Sequence, residues 1–179
     1  MTGKLISYIV RLLLSLRYRI RITGLDEILK KGNGGILFLP NHPAFIDPLI
    51  TVTRFFPSFR PLVLADRDQV DLPVVRNLIR HLNVIMMSDP RVYRHSAIDE
   101  IADAMKASLE TLKNGGNVMF YPAGHTSYTR HEDLGGTSAV ETIIKGCPEA
   151  RVVLVKIDGL WGSRFSRSAG VRPSFIDEL

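Results

Sequence analysis

A single cysteine, Cys147, stands in the 179 residues. It excludes an internal disulfide and a cysteine-based zinc site, fits a reducing compartment, and leaves that side chain the role of a small apolar filler. Histidines with zinc-ligand spacing are lacking, so a metal hydrolase is not expected. No apolar run reaches the ~20 residues of a membrane-crossing helix, since Arg11 interrupts the longest one. The same arginine, with no small-residue cleavage pattern behind it, argues against a signal peptide. Internal repeats, low-complexity tracts and a dividing linker are absent, so one compact domain is expected. Acids are missing from KLISYIVRLLLSLRYRIRITG, although Lys4, Arg11, Arg17, Arg19 and Arg21 all lie in it.

What is present begins with a net charge of +5 and a 45% hydrophobic composition, enough for one sizeable core and an anionic partner. In the first 16 residues Leu5, Ile6, Ile9, Leu12, Leu13 and Leu16 follow helical spacing among basic residues. That is the composition of an amphipathic interfacial helix on anionic lipid, and equally of a helix packed on its own domain. RYRIRITG alternates Arg17, Arg19 and Arg21 with Tyr18, Ile20 and Ile22, which predicts a half-buried strand with one basic face. The lack of a stacking platform or recognition motif there argues against a nucleic-acid partner.

Five short apolar runs follow, GGILFLP, RPLVLA, NVIMM, NVMFYP and RVVLVKIDG, each read as a largely buried strand. Helical patterns separate them. DLPVVRNLIRHL is one; a longer one opens at Ser96 and stops at Asn114, Gly115 and Gly116; a third begins at Ser138, whose pairing with Glu141 predicts a capping box. Strands alternating with helices predict an α/β fold, a mostly parallel central sheet flanked by helices. The tail RSAGVRPSFIDEL has little periodicity and reads as a terminus or as the cut point of a longer polypeptide.

Between the first run and the next helix lies NHPAFIDP. His42 and Asp47 are five residues apart, so on a helix they diverge by about 140° and share no face. Pro43 and Pro48 break the helix, and a turn can bring the two side chains together. Asp47 also reads as an ordinary N-cap ahead of Pro48, which needs no chemistry. Two further strand ends carry polar loops, as ligand sites in α/β proteins do. VIMMSDPR ends in Arg91, and MFYPAGHTSYTR carries Gly124, His125 and Thr126; either arginine or histidine alone reads equally as a solvated surface residue.

Taken together, these segments resemble the glycerolipid acyltransferase family. Its first motif, Asn-His, four residues, Asp, is matched by Asn41, His42 and Asp47. Val84 to Arg91 is an imperfect counterpart of the second motif. Tyr121, Pro122, Ala123, Gly124, His125 and Thr126 stand where the family has Phe-Pro-Glu-Gly-Thr, and RVVLVKIDG corresponds to the fourth motif, with Leu154 in place of an expected proline. The resemblance spans about residues 17 to 162. The amphipathic pattern makes 1–16 the expected membrane-interfacial helix; the resemblance implies an acyltransferase domain at 17–179 and transfer of a fatty acyl group from acyl-CoA or acyl carrier protein (ACP), as co-substrate, to a lysophospholipid or related hydroxyl acceptor, with no metal or other cofactor.

His42 is expected to be the general base and Asp47 its orienting acid, with Asn41, Arg67, Arg91, Tyr121, Pro122, Gly124, His125 and Thr126 binding substrate. Ala123 removes the family glutamate beside the acceptor, and Glu132 or Asp133 can supply a carboxylate from the neighbouring loop. Phe45, Phe55 and Phe56 read as core or as an acyl channel. The resemblance further implies the cytoplasmic face of a membrane, peripheral or monotopic, and a fused or associated acyl-activating ligase module; a catalytically silent lipid-binding module of the same fold is the alternative.

Overall fold

The computed structural model describes residues 2–67, 79–88, 94–134 and 138–170. Among these, five strands, β1 (Ile36–Pro40), β2 (Leu62–Asp66), β3 (Val84–Met87), β4 (Val118–Met119) and β5 (Arg151–Val155), form one sheet. Their order is β3-β2-β4-β1-β5, and every pairing is parallel. The helices are α1 (Thr2–Arg17), α2 (Leu25–Lys30), α3 (Asp47–Phe59), α4 (Arg94–Lys113) and α5 (Ala139–Gly146). All five apolar runs of the sequence have become strands. Strands this short and this apolar are stable only when helices cover both faces.

The period-2 alternation of β1 sorts its side chains between two cores. Ile36 and Phe38 join Phe55, Phe56 and Phe59 of α3, while Leu37 and Leu39 join Ala104 and Leu112 of α4 and Ile143 of α5. Phe38 meets Phe55 and Phe59 edge-on at 5.0 and 5.1 Å between centroids, a favoured aromatic geometry. Phe55 and Phe56 are therefore core residues, and Cys147 is the buried filler its composition suggested. On the edge strand β5, Val153 and Val155 pack inward whereas Val152 and Leu154 are exposed.

Three expectations change. RYRIRITG is not a strand: residues 18–23 are irregular and pair with no edge, because Tyr18 and Ile20 are drawn instead into a third apolar cluster with Leu14, Ala44 and Ile46. Ser138 precedes α5 but its side chain caps nothing, since Glu141 pairs with Lys145 one turn on rather than reaching back. The long helix begins at Arg94 rather than Ser96; it ends, as expected, at Asn114 and Gly115, the glycine at φ +75 where a Cβ would be strained. Most of the predicted helix 71–82, and Arg91, lie outside the described residues, as does the tail beyond 170.

No helix among the described residues is long and apolar enough to cross a membrane. α1 packs on α3 through Gly3, Ser7, Val10 and Leu14, spaced three and four apart. Gly3 is essential to that approach, because a Cβ there would lie 2.4 Å from the carbonyl oxygen of His81 and 2.7 Å from the Phe56 ring. The apolar face, Leu5, Ile9, Leu12, Leu13 and Leu16, points outward, with Leu12 67% and Leu16 81% exposed.

Asn117 ties the opposite end of the sheet. Its side-chain oxygen accepts from Ile36 N at 3.0 Å, and its amide nitrogen donates to the carbonyls of Asn33 and Phe59 at 2.8 and 2.6 Å. Asn117→Ala strands three backbone groups in or near the core and is expected to cost about 2–4 kcal/mol. For a chain of this size that lowers Tm by about 5–15 °C in thermal unfolding; a drop of under about 2 °C would show that these bonds contribute little.

Candidate active site

β1 and β4 are neighbours, yet the chain leaves them toward opposite faces, β1 into α3 on one side and β4 toward α5 on the other. A crevice therefore opens at their carboxyl ends, the usual place for a ligand in an open α/β sheet. The loop after β1 carries Asn41 and His42; the loop after β4 carries Tyr121 to Glu132.

The bend at NHPAFIDP brings its polar pair together. His42 Nδ1 lies 3.2 Å from Asp47 Oδ2, and the two residues are 4% and 0% exposed. Asp47 is not the forward-bonding cap its sequence position suggests. It is the first residue of α3 and its carboxylate turns back, Oδ2 also accepting the Ala44 N–H at 2.7 Å. Burial pushes the Asp47 carboxyl above the ordinary aspartate value, against the pull of the His42 hydrogen bond, the His42 charge and the Ala44 amide. Its other oxygen, Oδ1, is buried and meets no donor among the described residues. An ionised carboxylate only accepts, so Nδ1 is the donor and Nε2 carries the lone pair.

The second loop closes over the first. Ser127 N–H donates to the His42 carbonyl at 2.8 Å, and His42 N–H donates to Glu132 Oε1 at 3.0 Å. Glu132, which the sequence offered only as one of two neighbours of the missing acid, is the carboxylate that reaches the site; Ala123 itself is buried. Burial raises the Glu132 carboxyl above its ordinary value, the His42 amide and the charges of His42 and His125 pull it back, and Asp47 adds to the rise.

Tyr121 packs against the His42 ring, tilted by 46° at 4.8 Å between centroids. Its hydroxyl meets Thr51 Oγ1 at 2.5 Å, and since Thr51 gives its one proton to the Asp47 carbonyl at 2.8 Å, the phenol is the donor. Burial holds that phenol far above its ordinary value, so it stays protonated. The turn Tyr121-Pro122-Ala123-Gly124 is closed by Gly124 N–H on the Tyr121 carbonyl at 3.0 Å, with Gly124 at φ +66. His125 stacks on Tyr128 at 5.1 Å and sits within electrostatic reach of Glu132. The Thr126 hydroxyl is buried and unpartnered among the described residues.

The remaining expected ligands are dispersed. The Asn41 amide clips the end of β1 to the chain after β5, accepting from Ile157 N at 2.6 Å and donating to Ile157 O at 3.0 Å. Arg67 is held by Glu100 at 2.9 Å, where Glu100 also accepts from Ser88 N. Sequence reasoning missed Arg167. Its guanidinium stacks on Tyr128 at 4.4 Å and on Phe45 at 5.5 Å, and no motif marks it.

A sequence model of the acyltransferase family matches residues 19–155. The chain belongs to the acyltransferase family. That span contains both site loops, and it agrees with the family resemblance carried by the motifs. The crystal structure of the 1-acyl-sn-glycerophosphate acyltransferase PlsC from Thermotoga maritima is similar in fold, with a TM-score of 0.52 and 18% identity over 89% of this chain and 74% of that one. No curated protein matches the sequence significantly.

In this acyltransferase the raised Glu132 value has a sign that can be measured. A carboxyl whose folded value exceeds its unfolded one, near 4.5, favours folding below that value and loses the contribution as pH rises through the folded value. Glu132→Gln keeps an oxygen for the His42 amide and removes the ionisation. Its Tm is expected to exceed that of the wild type at about pH 7 and to converge with it near pH 4; a higher wild-type Tm at neutral pH would mean that the histidines outweigh desolvation.

Proposed function

We propose that this acyltransferase moves a fatty acyl group from an acyl thioester, acyl-CoA or acyl-ACP, to the hydroxyl of a lysophospholipid or glycerol-phosphate-type acceptor. The observation that carries this reading is the buried pair of His42 Nδ1 and Asp47 Oδ2 at the strand ends. Neutral imidazole takes the acceptor proton on Nε2 as the hydroxyl oxygen attacks the thioester carbonyl, and the imidazolium returns it to the departing thiolate as the C–S bond breaks. Asp47, with one oxygen left unsolvated, gains most when its neighbour becomes a cation, so it orients the ring and stabilises the charge that forms. The acceptor itself attacks and no acyl-enzyme is formed, unlike nucleophilic catalysis.

The lipid acceptor meets the site from a membrane surface, on the cytoplasmic face and without spanning it. Support comes from α1, whose outward leucines form an apolar stripe and whose Leu14 packs in one cluster with Ala44 and Ile46 of the catalytic bend. Anionic lipid suits the same surface: Arg54 of α3 is partly desolvated and repelled by Arg11 of α1, two cations that an anion would relieve. An acyl-activating ligase module, fused or associated, is the natural source of the thioester. A second reading, a silent lipid-binding module, draws on Ala123; it predicts vesicle binding without thiol release.

His42→Ala is expected to lower kcat by about 10² to 10⁴, and Asp47→Asn to fall in the same direction by freeing the wrong tautomer. Thiol release from acyl-CoA should require the acceptor. Full activity in both variants would remove the pair from the mechanism, and release equal with and without acceptor would remove direct transfer. Replacing Leu12, Leu13 and Leu16 by Ser should weaken binding to phosphatidylglycerol vesicles by about 10-fold or more per side chain at unchanged Tm, as these groups are exposed in the free protein. Undiminished vesicle binding would exclude α1 as the docking face.

A further inference from the structure

The site as built has an electrostatic imbalance. Two carboxylates, Asp47 and Glu132, stand against His42, one beside its ring and one on its backbone amide. A phosphate-bearing substrate is repelled by both unless a cation meets it. Arg67, the described arginine expected to do so, is occupied by Glu100, and Arg164 also has a partner. Arg167 differs. Its guanidinium lies over both the Phe45 and the Tyr128 ring, its Nε is buried without an acceptor, and no carboxylate among the described residues pairs with it.

The two rings that Arg167 lies over belong to the two site loops. Phe45 is three residues after His42 and its ring lies 6.5 Å from the imidazole; Tyr128 is three residues after His125 and its ring lies 5.1 Å from that one. Phe45 N–H also donates to the Phe165 carbonyl at 2.8 Å, so the turn bearing Arg167 is tied by its backbone to the catalytic bend. Ser166 stiffens the turn, its hydroxyl donating to Ser163 O at 2.8 Å. Phe45 thus lies near both the imidazole, at 6.5 Å, and the guanidinium, at 5.5 Å, and Arg167 itself is half-buried.

We infer that Arg167, held over the Phe45 and Tyr128 rings, is a phosphate-binding residue of this site. A stacked, planar guanidinium presents its free N–H groups in the fork that phosphate oxygens accept. In a 1-acyl lysophosphatidate acceptor the phosphate sits on the carbon next to the one bearing the reacting hydroxyl, so a phosphate ligand is expected close to the base. The thioester donor acyl-CoA also carries phosphates, and the chemistry of the contact is the same. The inference rests on the acyltransferase reading for the identity of the substrates, but the binding of phosphate does not depend on turnover. Arg167 lies beyond the 19–155 family match.

The test compares wild type, Arg167→Ala and Arg167→Lys with acyl-CoA as donor and two acceptors that differ by the phosphate alone, 1-oleoyl-lysophosphatidate and 1-oleoylglycerol. Arg167→Ala is expected to lower kcat/KM for the phosphorylated acceptor by about 10- to 100-fold and that for 1-oleoylglycerol by less than about 2-fold, with Lys intermediate. A rise in KM for acyl-CoA with both acceptors assigns the bound phosphate to the donor instead. Equal losses on both acceptors with KM for acyl-CoA unchanged, or no loss at all, overturn the inference and leave the stack a purely structural one. In parallel, 1-oleoyl-lysophosphatidate and CoA binding are measured by calorimetry on His42→Ala protein with and without Arg167→Ala. Absence of turnover by the wild type, together with binding of either ligand at least about 10-fold weaker without Arg167, fails the proposed function and keeps this inference; unchanged binding of both sinks it.

Discussion

The site depends on one oxygen. Asp47 Oδ2 receives both the Ala44 amide and His42 Nδ1, so a single buried acceptor closes the bend and fixes the ring. Pro43 and Pro48 keep the intervening residues out of a continuous helix, and Asp47, as the first residue of α3, sits where the helix dipole favours a negative charge. The dipole and the Ala44 amide offset part of the desolvation that raises the Asp47 carboxyl. What remains is a carboxylate with one unpartnered oxygen, poorly solvated until its histidine becomes charged. The same interaction that shapes the loop therefore also sets the orientation of the imidazole.

That bend would wander if only its own residues held it. It is instead anchored on three sides: Asn41 to Ile157 after β5, the His42 carbonyl to Ser127, and the His42 amide to Glu132. Below it, the Tyr121 phenol bonds Thr51, which bonds the Asp47 carbonyl, so the strand β4 is wired to the start of α3 through two hydroxyls. Parallel neighbours whose chains depart to opposite faces are what allow this, since their two loops meet at one edge and must satisfy one another's polar groups.

Much of this was legible in the sequence, for identifiable reasons. Buried parallel strands are dense apolar runs, so ILFLP, LVLAD, VIMM and RVVLV announced themselves, and Asn-His with an aspartate five residues on stood out because its prolines forbid a helix. The failures are as instructive. RYRIRITG has strand alternation, but alternation records only which side chains are buried, and a tertiary cluster buries Tyr18 and Ile20 without a ladder. Asp47 looked like a cap because position is local, while its actual partners lie behind it. Glu132 and Arg167 carried no usable spacing, being 90 and 125 residues from His42 and brought there by loop closure alone. Arg67 is held by Glu100 of α4, a partner that no spacing in the sequence announces.

The N-terminal helix inverts the usual rule, and the inversion has a consequence. A surface helix ordinarily buries its apolar side, yet α1 turns Gly3, Ser7, Val10 and Leu14 inward and its leucines outward. The inward face is narrow because α3 approaches closely at Gly3, so the seam has no room for large side chains there. Outward leucines cost free energy in water, and a membrane interface relieves it at roughly 25 cal/mol per Å² of apolar surface. Because Leu14 shares a cluster with Ala44 and Ile46, the element that gains from docking is in direct packing contact with the bend that holds His42. On the proposed reading, the lipid surface that covers α1 is then also the source of the acceptor, and a substrate with an apolar tail need not leave it for its polar end to reach the base.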